Sequence, residues 1–468
     1  VTTTTPRPGF VPDAIAKLGS SIEGRVILPD DATYDSARVV LSGAIDRRPA
    51  AIVRVSGPDD VARVIEVARV SGLELAVRSG GHSAAGHSTT DGGLVIDLRD
   101  LATVEIDAEQ RTAWAQTGQT AGGFTTLAAQ HDLAVGFGDT GSVGIGGITL
   151  GGGVGYLSRK HGLTIDSLLA AEVVTADGRT LHVEEGSHSD LFWAIRGGGG
   201  NFGVATRFHF RLHPLPEVTG GMLILPATPE TVAGFIAAAH AAGDNLGTIA
   251  NVMNCPPMPF VPEEHHGELV IMGLLCHAGD RADGERAVAP FRELAPPLAD
   301  MVAVQPYPGM YPPDDPGYRP TAVSLTSFTD RIGIEEARLI LDRLAASDAS
   351  MRAVQLRVLG GAIARVPVEA TAYAHRQSRI MVNVAAFYAG EDDRPAREAW
   401  VEELSGALHQ GDDGAYVNFL GVEGEARLRA AYPGATWDRL AAVKARYDPD
   451  NVFRLNQNVP PAATGDPR

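Results

Sequence analysis

At 468 residues the chain exceeds one ordinary domain and suggests two or three units, each able to bury its own core. A formal charge of −18, with no Lys/Arg-rich block to offset it locally, argues against nucleic acid as a partner, because a phosphate backbone would be repelled. Two cysteines, Cys255 and Cys276, cannot staple so long a chain and are expected to remain thiols, as a reducing cytoplasm allows.

The N-terminal stretch "VTTTTPRPGFVPDAIAKL" lacks the charged start and apolar run of a secretory signal and reads as a short disordered tail. From residue 51, apolar "AIVRV" precedes a helical pattern (Val61, Val64, Ile65, Ala68) behind a Ser56/Asp59 cap, and "LELAVR" follows. Strand, helix and strand in that order predict parallel pairing. "GLVIDL" (93–98), "ATVEID" and "RTAWAQTG" continue a strand-rich segment to about residue 215 that is not a regular βαβα array. "LLAAEVVTA" (168–176) is strand-length and carries Glu172, and nowhere does an apolar run reach the ~18 residues of a membrane span.

From 216 to 405 the strands "GMLILPA", "ELVIMGLLCHA", "TAVSLTSF", "MRAVQLRVLG" and "RIMVNVAAFY" alternate with helices over 229–242, 334–347 and 393–408, which predicts a second α+β unit with a largely antiparallel sheet. Inside it the Pro-rich "YPGMYPPDDPGYRP" (307–320) is either a lid or rim, or a plain surface excursion. No repeat of 20 to 50 residues is visible, and the last 55 residues read as an element returning to the first unit.

Glycine is the compositional anomaly: 26 of the 54 fall between Gly80 and Gly203. The literal GxGxxG at Gly136–Gly141 is not a dinucleotide fingerprint, because more glycine follows it instead of a helix, and no acidic residue closes a second strand. "GHSAAG" places its second glycine one residue too late for a nucleophile elbow at Ser83. The His/Glu run 263–268 has no partner cluster for a metal, and His82 and His87, five apart on a glycine loop, do not suit zinc. Three stretches do share one chemistry, namely "VRSGGHS", "GSVGIGGITLGGGVGY" (141–156) and "RGGGGNFGV" (196–204). Each presents backbone N–H groups without side-chain obstruction, which suits a pyrophosphate or the edge of a flat heteroaromatic ring.

These stretches, with "DLFWAIRGGGGNFGV" and the tail "YVNF…WDRLAAVKARYDPDNVFRLNQNVPP", resemble the berberine-bridge-enzyme-like FAD-linked oxidases of the vanillyl-alcohol oxidase/para-cresol methylhydroxylase superfamily. The resemblance covers most of 45–215 and 411–460. It implies an α+β fold: a two-part FAD-binding domain of the para-cresol methylhydroxylase type, 1–215 completed by 411–468, and a substrate domain, 216–410, whose largely antiparallel sheet is covered by helices. His82 matches the histidine that attaches to the 8α-methyl of FAD. Arg78, Ser79, Gly80, Gly81 and Ser83 match the pyrophosphate loop, with Gly86 and His87 in support. Thr140 stands where many members carry a second, cysteinyl link, so this chain resembles the singly histidyl-linked subgroup that includes 6-hydroxynicotine oxidases.

Further cofactor contacts implied by the resemblance are Gly141, Gly144, Gly146, Gly147, Gly151 and Gly152. Asn201, Phe202, Gly203 and Val204 would lie beneath the flavin, and Asn418, Asn456 and Asn458 would meet it from the tail. Val143 matches the oxygen-gate position, where valine goes with O2 access. Tyr416 is the leading base. A phenol of ordinary pKa about 10 needs a cationic or hydrogen-bonding neighbour. Arg357 could supply it, while Gln355, on the same strand face, could orient substrate. An ordinary solvent-facing row of the sheet is the competing reading of Gln355 and Arg357, and Asn383 on the next strand could join the same pocket. The implied activity is a cytoplasmic oxidase taking hydride from a small-molecule alcohol or amine, such as a secondary-metabolite intermediate, and reducing O2 to H2O2. The alternatives are a dehydrogenase with another acceptor and a non-catalytic ligand-binding flavoprotein.

Overall fold

The structure, a computed structural model, describes residues 10–313, 315 and 317–463. The expected N-terminal tail lies outside it only up to residue 9. From Phe10 to Gly19 the chain is helix, and Ile15 and Leu18 pack into the core around helix Pro58–Ser71. That second helix buries Val61, Val64, Ile65 and Ala68 as their spacing predicts, and it stops at Gly72, whose φ of +67° ends it in a left-handed turn. It begins without the expected Ser56/Asp59 cap. Gly57 holds the cap position, and the buried Asp60 carboxylate instead accepts the N–H groups of Ser56, Glu23 and Gly24 at 2.8, 2.9 and 2.9 Å, which ties the preceding segment to the helix.

The flanking strands, Ala51–Arg54 and Leu75–Arg78, are parallel but not neighbours. Leu94–Asp97 lies between them and pairs in parallel with both, and Arg25–Ile27 closes one edge antiparallel. All four residues of Leu94–Asp97 are buried, which fits the centre of a sheet covered on both faces. A second, five-stranded sheet is antiparallel throughout, in the order Val104–Asp107, Thr112–Gln116, Val204–Arg211, Leu168–Val174, Thr180–Glu184.

The third sheet has eight strands, every pair antiparallel, with helices Pro229–Ala241, Arg281–Arg292, Ile334–Ala346 and Arg394–Ala407 packed through one core onto a single face. Strand Leu246–Asn254 and helix Arg281–Arg292 were not expected from the sequence. Gly247 and Asn251 interrupt the strand's apolar run, and Pro290 sits inside the helix. Period-two alternation puts Val252, Val354, Val382 and Val384 under the helices. It sends Asn251, Gln355, Asn383 and Thr326, which pair in register across four strands, to the opposite face.

The Pro-rich stretch is no simple excursion. Tyr307, Met310 and Tyr311 are buried, and the Tyr311 hydroxyl donates to the Gly138 carbonyl at 3.2 Å, which pins this part of the third sheet's connection to the N-terminal portion. At the other end of the chain, Trp437, Leu440, Val443 and Val459 share one core with Trp193 and Phe208. Among the described residues no helix is long and apolar enough to cross a membrane.

The seam between these parts holds a stacked histidine pair, His161 and His213, with ring centroids 3.9 Å apart and planes 14° from parallel. His213 Nε2 meets the Ser167 hydroxyl at 3.0 Å, while His161 Nε2 is buried without a partner. Burial first, then repulsion of a second charge by His213 and Lys160, depresses His161 to about 3, and burial with Arg211 and Lys160 depresses His213 to about 4, so both are neutral in the folded chain near pH 7. The unfolded chain takes up these protons near pH 6.5. Stability from this pair is therefore complete above that value and declines as pH falls from about 6.5 towards 4. Urea midpoints measured from pH 7.5 to 5 should fall for the wild type and fall less steeply for His161→Phe.

Candidate active site

A cavity of about 400 Å³ opens where the three sheets and the C-terminal segment meet. Its walls are loops 79–84, 138–148, 199–205, 416–420 and 453–457, roofed by Ser324 and Asn383 from the polar face of the eight-stranded sheet. Two of these loops touch backbone to backbone. A Cβ on Gly80 would stand 2.2 Å from the Gly144 nitrogen, and one on Gly144 would stand 2.1 Å from Ser79 Oγ, so neither position admits a side chain. Ser79 locks the pair, donating to the Thr117 carbonyl at 2.6 Å and accepting from Gly146 N–H at 3.2 Å.

Other glycines are bare for a different reason. A Cβ at Gly147 or Gly200 would meet nothing within 4 Å, although both line the cavity. Their side chains would enter the space itself. Ser88 Oγ and Asn456 Oδ1, on the same walls, are buried polar atoms without a protein partner. Buried polar groups rarely stay unpaired, so a long polar guest with a flat body fits what these walls present.

His82, half-buried, reaches this cavity from the 79–84 loop. His87 lines it too, and burial, with Arg47 adding to it, holds that imidazole neutral at about 4. Thr140 stands exposed at the rim, beside Val143. Ser83, Asn201, Gly203, Val204 and Asn418 also line the wall, and Gly81 sits there with a φ of +76°.

Tyr416 is buried at the inner end. Its phenol oxygen accepts three hydrogen bonds: Gly153 N–H at 3.0 Å, Val154 N–H at 3.2 Å and Asn418 Nδ2 at 2.9 Å. Burial pushes this phenol up; the three donors and the Arg357 charge oppose it.

Gln355 and Arg357 are neither solvent-facing nor on the cavity wall. Arg357 Nη2 donates to Asp139 at 2.7 Å, its Nε and Nη2 both donate to the Gln355 carbonyl oxygen, and its guanidinium lies 5.4 Å from the Phe419 ring centre. Gln355 Nε2 is spent on Asn251 at 2.8 Å. Gln355, expected to orient substrate, thus has its amide engaged inside the sheet's polar row, off the cavity wall. Asn383, by contrast, does reach the cavity. Asp139, which sequence reasoning passed over inside "GFGDTG", lines the cavity and joins the N-terminal loops to the third sheet through Arg357.

Seven expected contacts stand off the wall. The Arg78 guanidinium turns inward to the buried Asp97 carboxylate at 2.8 Å and the Ala37 carbonyl at 2.6 Å. Gly86, at φ +73°, faces Ile45. Gly141 packs beneath Gly122, and Phe202 is core. Gly152, at φ +127°, leaves room for the rings of Tyr373 and Tyr416. Gly151 serves Asn418, whose Oδ1 would lie 2.0 Å from an added Cβ. Asn458 is not among the lining residues.

A buried cation also escaped sequence reading. Lys444 Nζ, fully buried, donates to the carbonyls of Asn201 (2.6 Å) and Phe453 (2.8 Å) and to Asp448 (2.6 Å), so one ammonium knots two cavity loops to helix Ala435–Tyr447. The i,i+4 spacing of Lys444 and Asp448 was the available signal, but it is shared by many exposed helical pairs. Lys444→Met should leave Asp448 as an uncompensated buried charge, cost about 3–5 kcal/mol and reduce flavin content. Thermal melts with the visible-to-ultraviolet absorbance ratio will check both.

Two family profiles match the chain, "FAD binding domain" over residues 49–184 and "Berberine and berberine like" over 415–460. The (R)-6-hydroxynicotine oxidase of Paenarthrobacter nicotinovorans is 31% identical, the alignment covering 94% of this chain and 97% of that protein. The chain belongs to the berberine-bridge-enzyme-like family of FAD-linked oxidoreductases. YvdP of Bacillus subtilis, an uncharacterized FAD-linked oxidoreductase, is 32% identical over 95% of this chain and 100% of its own. The crystal structure of 6-hydroxy-D-nicotine oxidase from Arthrobacter nicotinovorans superimposes with a TM-score of 0.84 at 28% identity, covering 94% of this chain and 98% of that one. A chitooligosaccharide oxidase shares the fold, with a TM-score of 0.81 at 22% identity over 96% of this chain and 100% of its own. The chain is thus an FAD-linked oxidoreductase, and the glycine-lined cavity is the candidate site for its cofactor.

Proposed function

We propose that this oxidoreductase is an oxidase for a small-molecule alcohol or amine, with FAD tethered through His82 alone and Tyr416 as the base. The observation that carries this reading is the convergence of His82, the bare glycine walls and Tyr416 on one cavity. FAD, when bound, supplies the acceptor that takes two electrons as hydride from the substrate carbon and passes them to O2, giving H2O2. The chain's residues do the remainder.

The bare backbone of loops 79–84 and 143–147 flanks the pyrophosphate, and Ser88 and Asn456 supply polar atoms that otherwise lack partners. His82 holds the ring in place, and Thr140, where a cysteine would be needed, leaves that link single. Tyr416 receives the O–H or N–H proton of the substrate while the C–H hydride departs, so the product is a carbonyl or imine. The three N–H donors around its oxygen stabilise the phenolate that must exist before the proton arrives. Arg357 adds positive charge from behind Phe419 without entering the cavity. Substrates of the (R)-6-hydroxynicotine type are the first class to test, on the strength of the full-length similarity.

Acid precipitation should bring the yellow colour down with the polypeptide in the wild type and release it in His82→Ala; release from the wild type would refute the tether. Tyr416→Phe should slow anaerobic flavin reduction by about 10²–10⁴-fold, the usual worth of a positioned base. Stopped-flow absorbance measures this, and reoxidation taking minutes after adding air would refute the oxidase assignment.

A further inference from the structure

A neutral phenol oxygen carries its own proton and accepts one or two hydrogen bonds comfortably. Tyr416 Oη is presented with three N–H donors at 2.9–3.2 Å, two from consecutive backbone amides and one from a side chain. A phenolate, with its charge on that atom and no proton to place, satisfies three donors better than the neutral form does. The arrangement has the form of an oxyanion hole built around a side chain of the protein itself.

The side-chain donor is the adjustable one. Asn418 Nδ2 reaches Tyr416 while also donating to the Ile148 carbonyl at 3.1 Å, and these two acceptors fix which end of the carboxamide faces the phenol. Its other end rests on Gly151, where a Cβ would come within 2.0 Å of Oδ1. Gly151 has an ordinary φ of −94°, so its backbone does not require glycine; the seat it provides for Asn418 does.

The charged and titratable neighbours add less than the donors do. Arg357 is shared with Asp139, and Tyr373, whose ring centre is 6.1 Å from that of Tyr416, has Arg376 against it, itself paired with Asp166. Phe419 covers another side with a neutral ring.

We propose that Gly153 N–H, Val154 N–H and Asn418 Nδ2 form an anion pocket for the Tyr416 phenolate, and that Asn418, seated on Gly151, is the positioning residue that sets the ionisation of Tyr416. This rests on Tyr416 being the base, and it assigns to Asn418 a task beyond touching the cofactor.

The test is an ultraviolet titration of tyrosinate absorbance on flavin-loaded protein, each spectrum set referenced to the same background carrying Tyr416→Phe. The difference isolates the Tyr416 transition. Its midpoint should rise by about one pH unit or more in Asn418→Leu, as loss of a charge-assisted hydrogen bond requires. Gly151→Ala keeps Asn418 but displaces its carboxamide, and it should raise the midpoint in the same direction. If Asn418→Leu fails to fold, Gly151→Ala alone decides. An unmoved midpoint in the folded variants, or no difference between wild type and Tyr416→Phe before unfolding, would overturn the proposal. The two readings fail separately. Normal flavin reduction in Tyr416→Phe would remove the base assignment while the midpoint shift stands, and a lost reduction rate with an unmoved midpoint would do the reverse.

Discussion

The close approach of two backbones, at Gly80 and Gly144, is the constraint on which the rest of the site depends. With a would-be Cβ only 2.2 Å from the facing nitrogen, these loops meet through peptide groups alone, and Ser79 bolts them together from the side. The result is a wall made of backbone in place of side chains. A cofactor whose middle is a pyrophosphate and whose end is a flat ring is matched by such a wall through hydrogen bonds that require no side-chain ordering. Everything else in the molecule brings chemistry up to that wall.

Three devices do so, and each joins parts of the chain that are distant in sequence. Lys444 spends one buried ammonium on the carbonyls of Asn201 and Phe453 and on Asp448, so the tail cannot leave without breaking the charge-assisted bond to Asn201. Arg357 reaches from the eight-stranded sheet to Asp139 in the glycine-rich region and sets the roof over the cavity. Tyr416 comes from the tail, yet two of its three hydrogen-bond donors are amides of the 153–154 turn. The turn that makes room for the Tyr416 ring therefore also supplies the amides that bond its hydroxyl.

Much of this was legible in the order of residues. Apolar stretches between helices marked five strands of the third sheet, helical spacing marked Val61 to Ala68, and the concentration of glycine marked the region of close approach. The failures were of two kinds. Elements whose apolar signal is broken by a residue with another duty were missed: Asn251 gives strand Leu246–Asn254 its place in the polar row, and Pro290 interrupts helix Arg281–Arg292. Direction was the other. A motif states that Arg78 ends a strand, but not that its guanidinium turns inward to Asp97, nor that Gly151 makes room for a side chain instead of a cofactor.

The sequence by itself determined the class of chemistry. Three runs of bare backbone, a histidine on one of them and a Tyr-x-Asn in the tail are local patterns, and local patterns are set by which backbone conformations and side-chain donors the residues permit. Only the tertiary structure decided the partners. Gln355 and Arg357 share a strand face with any period-two pair, but whether they meet solvent, substrate or each other depends on what packs over that face. Here it is Asp139 and Asn251, which hold Arg357 just behind the wall and close Gln355 off from it. Asn383, one strand over, keeps its place on the cavity while accepting from the Thr326 hydroxyl. Burial and pairing are properties of the whole packed chain, and they separated residues that the linear pattern had treated alike.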